Sequence, residues 1–364
     1  MPEFTTAAAR TVAEALSAEV PIAPLVAKAG LRCELTPFAG VLPERGDTLL
    51  TVLYGVDDVV AAELTAAARV SLAVPNRILG GPPQVEHWRS RRAVHSFKRG
   101  ALAWSEDGER LAGCLASDAG ADPATAAREH FRALLGLLEE RGYPYFLRVW
   151  NYLPRINELE RGHERYRLFN SGRASAFAGL RLAGGASGAD AARLFPASSA
   201  VGTPGSRLLT AFLAVNAPPR HLENPRQTAA WRYPPRYGPV PPTFSRATVA
   251  GGSWMLSGTA SIVGHASRHA GSLLGQLDET LRNIEQVIAT ARDMPEGGCR
   301  VASLADFDLV KVYLREAGDL EAVRTALAPR LRPGTPTLFL EADICRRELR
   351  LEIEGFALGG AIAR

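Results

Sequence analysis

TLFLEADICRRELRLEIEGFA, residues 337 to 357, is the stretch from which the rest of the chain is read. Its first half alternates: Leu338, Leu340, Ala342 and Ile344 fall on one side, Phe339, Glu341, Asp343 and Cys345 on the other. A period of two sends successive side chains to opposite faces of a strand. The second half sets Leu349, Leu351 and Ile353 against Arg350, Glu352 and Glu354, so the spacing predicts a β-hairpin turning near Arg346 and Arg347. A slip of one residue turns every side chain over, and a turn of even length is the register that keeps both apolar sets on one face. Cys345 and Glu352 then share the polar face with Asp343 and Glu354. A thiol and a carboxylate facing one cleft are candidate chemistry, set against the commoner roles of solvated glutamate and small core cysteine.

At 364 residues the chain has room for two domains with cores of their own. An apolar fraction of 46% and a charged fraction of 22% are those of a globular protein. The first twenty residues carry Glu3 and Glu14 and no basic cluster before an apolar core, so no secretory signal is expected. No apolar run approaches the ~18 residues of a membrane span, and a cytoplasmic location is the default expectation. Cys33, Cys114, Cys299 and Cys345 form no close pair, which indicates neither a disulfide framework nor a metal site, and no cofactor is expected. The net charge of +4 is carried almost wholly by arginine without any basic run, which suits a small acidic ligand better than nucleic acid.

In chain order, a short helix is expected over residues 5 to 17, then strands at 48–55 and 68–74 and a hairpin-like region from Val85 to Ala116. DPATAAREHFRALLGLLEERGY places Ala127, Phe131, Leu134, Leu135 and Leu138 at helical spacing, with Asp122 as N-cap, Pro123 in the first turn and Gly142 at the end. A strand, a polar helix over about 157–177, a Gly/Ala/Ser loop at 183–189 and two more strands follow. The second half repeats this order: a glycine-kinked strand at 253–265, a helix carrying Leu273, Leu277, Leu281, Ile284 and Ile288, then strand, helix and the opening stretch. We read an internal duplication, with residues 1–216 as the first unit, 217–247 as a Pro/Arg/aromatic strap, and 248–364 as the second unit. Trp231, Tyr233, Tyr237 and Phe244 interleave with arginines in the strap, which predicts order, since disordered linkers are poor in aromatics.

From Gly258 through ETLRNIEQVIATA (279–291) to LEIEGFA (351–357), the second half resembles the YjgF-like reactive-intermediate deaminase fold. The chain as a whole resembles the chorismatase family. The residues that carry this are NYLPRINE (151–158), ERYRLFNSGR (164–173), PASSAVGT (196–203), the strap, SGTASIVGH (257–265) and EADICRRELRLEIEG (341–355). The resemblance implies an α+β protein of two YjgF-like α/β domains in pseudo-duplication, with helices on one face of mixed sheets. It implies a chorismatase converting chorismate, a small dianion, with loss of pyruvate, and Glu352 as the catalytic acid. Gly258 and Cys345 match the branch that forms 3-hydroxybenzoate, whereas the branch that hydrolyses chorismate to a dihydroxycyclohexadiene carboxylate carries alanines there.

Protonating the methylene carbon of the enolpyruvyl group calls for an acid that keeps its proton near neutral pH, as Glu352 does if burial and Glu354 raise its pKa. Cys345 is the candidate base or positioning group for ring-proton removal, with an arginine neighbour lowering the thiol pKa. Gly258 acts by size. The two carboxylates of the substrate invite guanidinium clamps, for which Arg155, Arg165, Arg226 and Arg246 are candidates, with Tyr152 and Tyr166 as hydroxyl donors. Gly202 allows close backbone approach or serves a turn, and His265 and His269 are further acid–base candidates. The competing readings are the hydrolytic branch, an imine or enamine deaminase, and a ligand-binding module. The deaminases place a carboxylate-binding arginine before the last strands, and no arginine occurs from Pro333 to Cys345. A monomer is expected, because a duplicated unit satisfies internally the interface that single-domain relatives make by trimerising.

Overall fold

The computed structural model describes residues 30–40, 42, 46–56, 70–120, 122–184, 195–292 and 301–359, without the side chains of 179–184 and 292. The helix expected over 5–17, Cys299 and the Gly/Ala/Ser stretch from 185 onward lie outside them.

Strands β1 (Leu31–Pro37), β2 (Thr48–Tyr54), β3 (Ser71–Val74) and β4 (Gln84–Ser90) form a four-stranded sheet in the order β1-β4-β2-β3. The hairpin-like region expected from Val85 to Ala116 is therefore divided: β4 belongs to this sheet, and β5 (His95–Arg99), β6 (Leu102–Glu106) and β7 (Arg110–Asp118) open the next.

Two six-stranded sheets follow, and they repeat one topology. In the first, β5, β6 and β7 lead into α1 (Pro123–Arg141), β8 (Tyr145–Pro154), the short ribbon β9 (Leu159–Glu160) and β10 (His163–Glu164), α2 (Arg165–Gly184), β11 (Ala197–Thr203) and β12 (Arg207–Val215), in the order β11-β8-β12-β7-β6-β5. In the second, β13 (Arg220–Leu222), β14 (Ala247–Ala250) and β15 (Ser253–Thr259) lead through the ribbon β16 (Ile262–Val263) and β17 (Ala266–Ser267) into α3 (Leu273–Arg292), β18 (Leu309–Leu314), α4 (Leu320–Leu327), β19 (Thr337–Glu341) and β20 (Leu351–Leu358). The order there is β13-β14-β15-β20-β18-β19, the same arrangement element for element. This is the pseudo-duplication of YjgF-like α/β units. The helix α1 is capped as expected: Asp122 Oδ1 accepts from the Ala124 and Thr125 amides, and Gly142 ends it at φ 75°.

The hairpin of residues 337–357 is not formed. β19 pairs in parallel with β18, and β20 pairs antiparallel with both β18 and β15, so β18 lies between the two halves of the stretch. The cause is the crossover through α4, which returns the chain parallel to the strand it left; β18, LVKVYL, is buried at every position and takes the middle. Residues 342–350 bridge the gap, and Arg315 gathers them by donating to the carbonyls of Leu349 (2.9 Å), Ile344 (3.2 Å) and Arg346 (2.9 Å). The apolar sets are also not on one face: Leu351 and Ile353 lie under α3, whereas Leu338, Leu340, Ala342, Ile344 and Leu349 lie in the core between the sheets.

The helix-covered faces hold two of the cores, around Phe131, Phe169 and Phe212 in one repeat and Leu281, Ile284 and Ile353 in the other. The helix-free faces turn toward each other and, with the four-stranded sheet, enclose a third core around Trp88, Trp150, Met255, Tyr313 and Phe356. The side of β20 read as polar therefore faces this seam, not solvent. Among the described residues, no helix is long and apolar enough to cross a membrane.

Candidate active site

Glu352 and Glu354 alternate with Leu351 and Ile353 along β20, so burying the latter under α3 points both carboxyls into the seam. Glu354 accepts from Arg148 Nη2 (2.7 Å), Trp150 Nε1 (2.9 Å) and Ser199 Oγ, and lies 3.1 Å from Lys311 Nζ. Burial alone would raise its pKa, but Lys311, Arg148 and the Ser199 hydroxyl hold it below the usual glutamate value. Glu352 is only 4% exposed, and its Oε1 has no hydrogen-bond partner among the described residues. Burial first, then the neighbouring Glu354 charge, pushes Glu352 up to about 8, with Arg148 opposing. The result is one carboxylate and one carboxylic acid two residues apart.

Gly258 stands on the adjoining strand, where the β15/β20 register shifts between Leu256 and Thr259. Its N–H donates to Ser199 Oγ (2.9 Å), and a Cβ placed on it would lie 1.8 Å from Glu352 Oε1. A side chain here thus meets the acid itself.

Glu352 and Gly258 open on a cavity of about 420 Å3, within the roughly 300–1,000 Å3 of small-molecule sites. Six arginines and three glutamates line it, and one of those glutamates is the protonated Glu352. Arg173 of α2 is 2% exposed, donates only to Asn170 Oδ1 (3.2 Å) and Ser198 Oγ (3.5 Å), and leaves Nε unpaired. Burial draws its pKa down to about 10, so it stays cationic, and among the described residues no carboxylate lies within ion-pair reach. Arg246 is held by Tyr233 OH (3.0 Å) and the Thr228 carbonyl (2.9 Å), with Glu223 Oε2 at 3.8 Å from its Nε, and Arg346 lies over the Tyr237 ring at 4.1 Å.

Of the expected residues, Glu352, Cys345, Gly258, Tyr166 and Arg246 line this cavity. The others do not. Tyr152 is buried behind it, its hydroxyl 3.2 Å from that of Tyr54. Arg155 is exposed beside Glu158, and Arg165 is committed to Glu160 (3.0 Å) and the Pro154 carbonyl (3.1 Å). Arg226 is committed to Glu279 and to Asn283 Oδ1 (2.8 Å). Gly202 does permit a close approach, but to the chain itself: its N–H donates to the Asp343 carbonyl at 2.7 Å. His265 sits at the rim with Nδ1 2.7 Å from Arg236, and His269 pairs with Glu279. The Cys345 thiol is not activated: burial, then Glu352, pushes it up to about 12, and Arg346 only partly offsets them. It keeps its proton.

Arg173 joins the cavity without being among the expected residues; the signal for it is that it follows Tyr166 by seven residues and so shares its helix face. Ser199, Arg346 and Tyr237 carry no such spacing; strand β11, the bridging loop and the strap respectively bring them in.

A protonated carboxylic acid at the end of an arginine-lined cavity, set in the seam of two YjgF-like units, defines an enzyme site for a small anion. A family model described as chorismatase FkbO/Hyg5-like, N-terminal, matches residues 86–214. The chain is 35% identical to a 3-hydroxybenzoate synthase of Streptomyces hygroscopicus, over 76% of this chain and 82% of that protein. It is 36% identical to a chorismatase of the same organism, over 74% and 78%. A solved chorismatase structure overlays with a TM-score of 0.77 at 30% identity, covering 91% of this chain and 99% of that one. The chain belongs to the chorismatase family.

Proposed function

We propose that this protein converts chorismate to 3-hydroxybenzoate and pyruvate, with Glu352 as the general acid. The observation that carries the reading is the buried Glu352 carboxyl, its Oε1 unpaired at the cavity and its pKa near 8, beside an ionised Glu354. Glu352 gives its proton to the methylene carbon of the enolpyruvyl group, and the carboxylate left behind faces the oxocarbenium character that develops. A positioned acid of this kind contributes ~10²- to 10⁴-fold. Arg173, with no carboxylate partner among the described residues, takes one substrate carboxylate, and Arg246 and Arg346 serve the other.

In the aromatising route the ring hydroxyl attacks the neighbouring ring carbon as that carbon's bond to the enolpyruvyl oxygen breaks and pyruvate departs, the hydroxyl proton returning to the Glu352 carboxylate. Loss of the ring proton from the attacked carbon then opens the other C–O bond of the resulting epoxide, and the freed oxygen takes up a proton to give the phenol. Cys345, protonated at about 12, acts there by position and not as a standing thiolate. Glycine at 258 and cysteine at 345 favour this route over hydrolysis to the dihydroxycyclohexadiene carboxylate. Pyruvate release coupled to a dehydrogenase, with chromatography of the ring product, tests both readings: Glu352→Gln is expected to lose at least ~10²-fold in rate, and a purely hydrolytic product would overturn the route. We also infer a monomer, since both helix-free sheet faces are already covered within one chain; a stable trimer in sedimentation would overturn that.

A further inference from the structure

Behind the cavity, three carboxyls and two cations meet in the seam and are unequally paired. Lys311 Nζ, from the middle of β18, lies 2.9 Å from Glu86 Oε2 of the four-stranded sheet and 3.1 Å from Glu354 Oε1. Arg148 of β8 lies 2.7 Å from Glu354 Oε2. Neutral donors fill the remaining positions: Tyr54 OH (3.1 Å) and Trp88 Nε1 (2.7 Å) on Glu86, Trp150 Nε1 (2.9 Å) and Ser199 on Glu354. All of these residues are closed off from water. Two cations thus face two carboxylates in a set that is complete and neutral, and Glu352 stands outside it with Oε1 unpaired. Net charge is costly where water is excluded, so the third carboxyl is the one that keeps a proton.

We infer that charge balance in this buried set holds the proton on Glu352, making Glu86 and Lys311, neither of which lines the cavity, positioning residues that tune the acid from a distance. This rests on Glu352 as the acid. The other groups facing Glu352 do not compete for the role. Tyr313, opposite it in the β18/β20 register, and Tyr54 and Tyr152 beside Lys311 are all pushed up by burial and stay neutral. On the cavity side, Tyr166 and Cys345 are likewise neutral, and Arg173 and Arg246 keep their charge.

The test is a charge-balance cycle read as the alkaline limb of kcat/KM against pH. E86Q removes one negative charge at nearly constant shape and leaves a cation unbalanced, so Glu352 should release its proton earlier and the limb should move down by about one pH unit. E86Q/K311M is neutral again and should return the limb to its wild-type position. Infrared difference spectroscopy locates the proton without reference to turnover: Glu223, which burial pushes up to about 7, contributes a carboxylic acid band of its own, and beside it the wild type is expected to show at neutral pH an acid band that E352Q removes and that E86Q loses at lower pH. A folded E86Q with an unmoved limb, or a double variant as displaced as the single, would overturn the inference. If E86Q does not fold, the double variant and the infrared band decide, and a wild-type minus E352Q difference spectrum with no acid band overturns it. An active E352Q would instead remove the catalytic reading, leaving the infrared result to judge the charge balance.

Discussion

Gly258→Ala is the sharpest perturbation this site offers. A Cβ there would lie 1.8 Å from Glu352 Oε1 and 2.9 Å from Ser199 Oγ, where ordinary contact begins at 3.4 Å. The carboxyl is the far end of a flexible side chain, so it gives way before the strand does, and it must retreat by about 1.5 Å. A misplacement of about 1 Å in a reacting group costs on the order of 10²-fold in rate, or about 2.7 kcal/mol of transition-state stabilisation. The expected outcome is a folded protein with kcat/KM down about 100-fold in the coupled pyruvate assay. Cys345→Ala added to it removes the sulfur on another side of the acid, and the pair should regain part of the rate while product moves toward the dihydroxycyclohexadiene carboxylate. The methyl thus acts first on the acid and only then on the ring. A Gly258→Ala protein with wild-type kcat/KM would refute this reasoning, and a double variant with unchanged 3-hydroxybenzoate output would refute the partition between routes.

Glu352 should also mark the pH dependence of stability. Its folded pKa of about 8 lies above the ordinary value of 4.5, so the folded state holds the extra proton between them and stability falls as pH rises through that window. Glu352→Gln should flatten thermal melts over pH 4.5 to 8; an unchanged slope would show that the carboxyl is not held protonated. Arg173→Met removes a buried cation that lacks a carboxylate partner among the described residues, and we expect a higher melting temperature together with a KM for chorismate raised about tenfold or more. A KM left at the wild-type value would exclude Arg173 as a substrate anchor.

The local signals in the chain hold because they depend on near neighbours. Asp122, Pro123 and Gly142 bound α1 through contacts within a few residues, and the alternation of Leu351, Glu352, Ile353 and Glu354 follows from the pleat alone. The duplicated order of strands and helices was legible for the same reason, as was the resemblance that singled out Glu352, Gly258 and Cys345. Pairing was not legible, because it depends on which strand the crossover through α4 lays beside which. The stretch 337–357 alternates as a hairpin would, yet β18 enters between its halves, and Cys345 reaches Glu352's cavity on a bridging loop. Nor does residue type distinguish an arginine that waits for a ligand from one already paired. Arg165 and Arg226 found carboxylates within the fold, whereas Arg173 has none among the described residues. Sequence alone determined which side chains each strand and helix presents on a face. Only the tertiary structure decided which faces are buried and which charges meet there, because the affinity of Glu352 for its proton is set by burial first and then by Glu354 and Arg148, and Arg148 is brought to the seam by a strand of the other repeat.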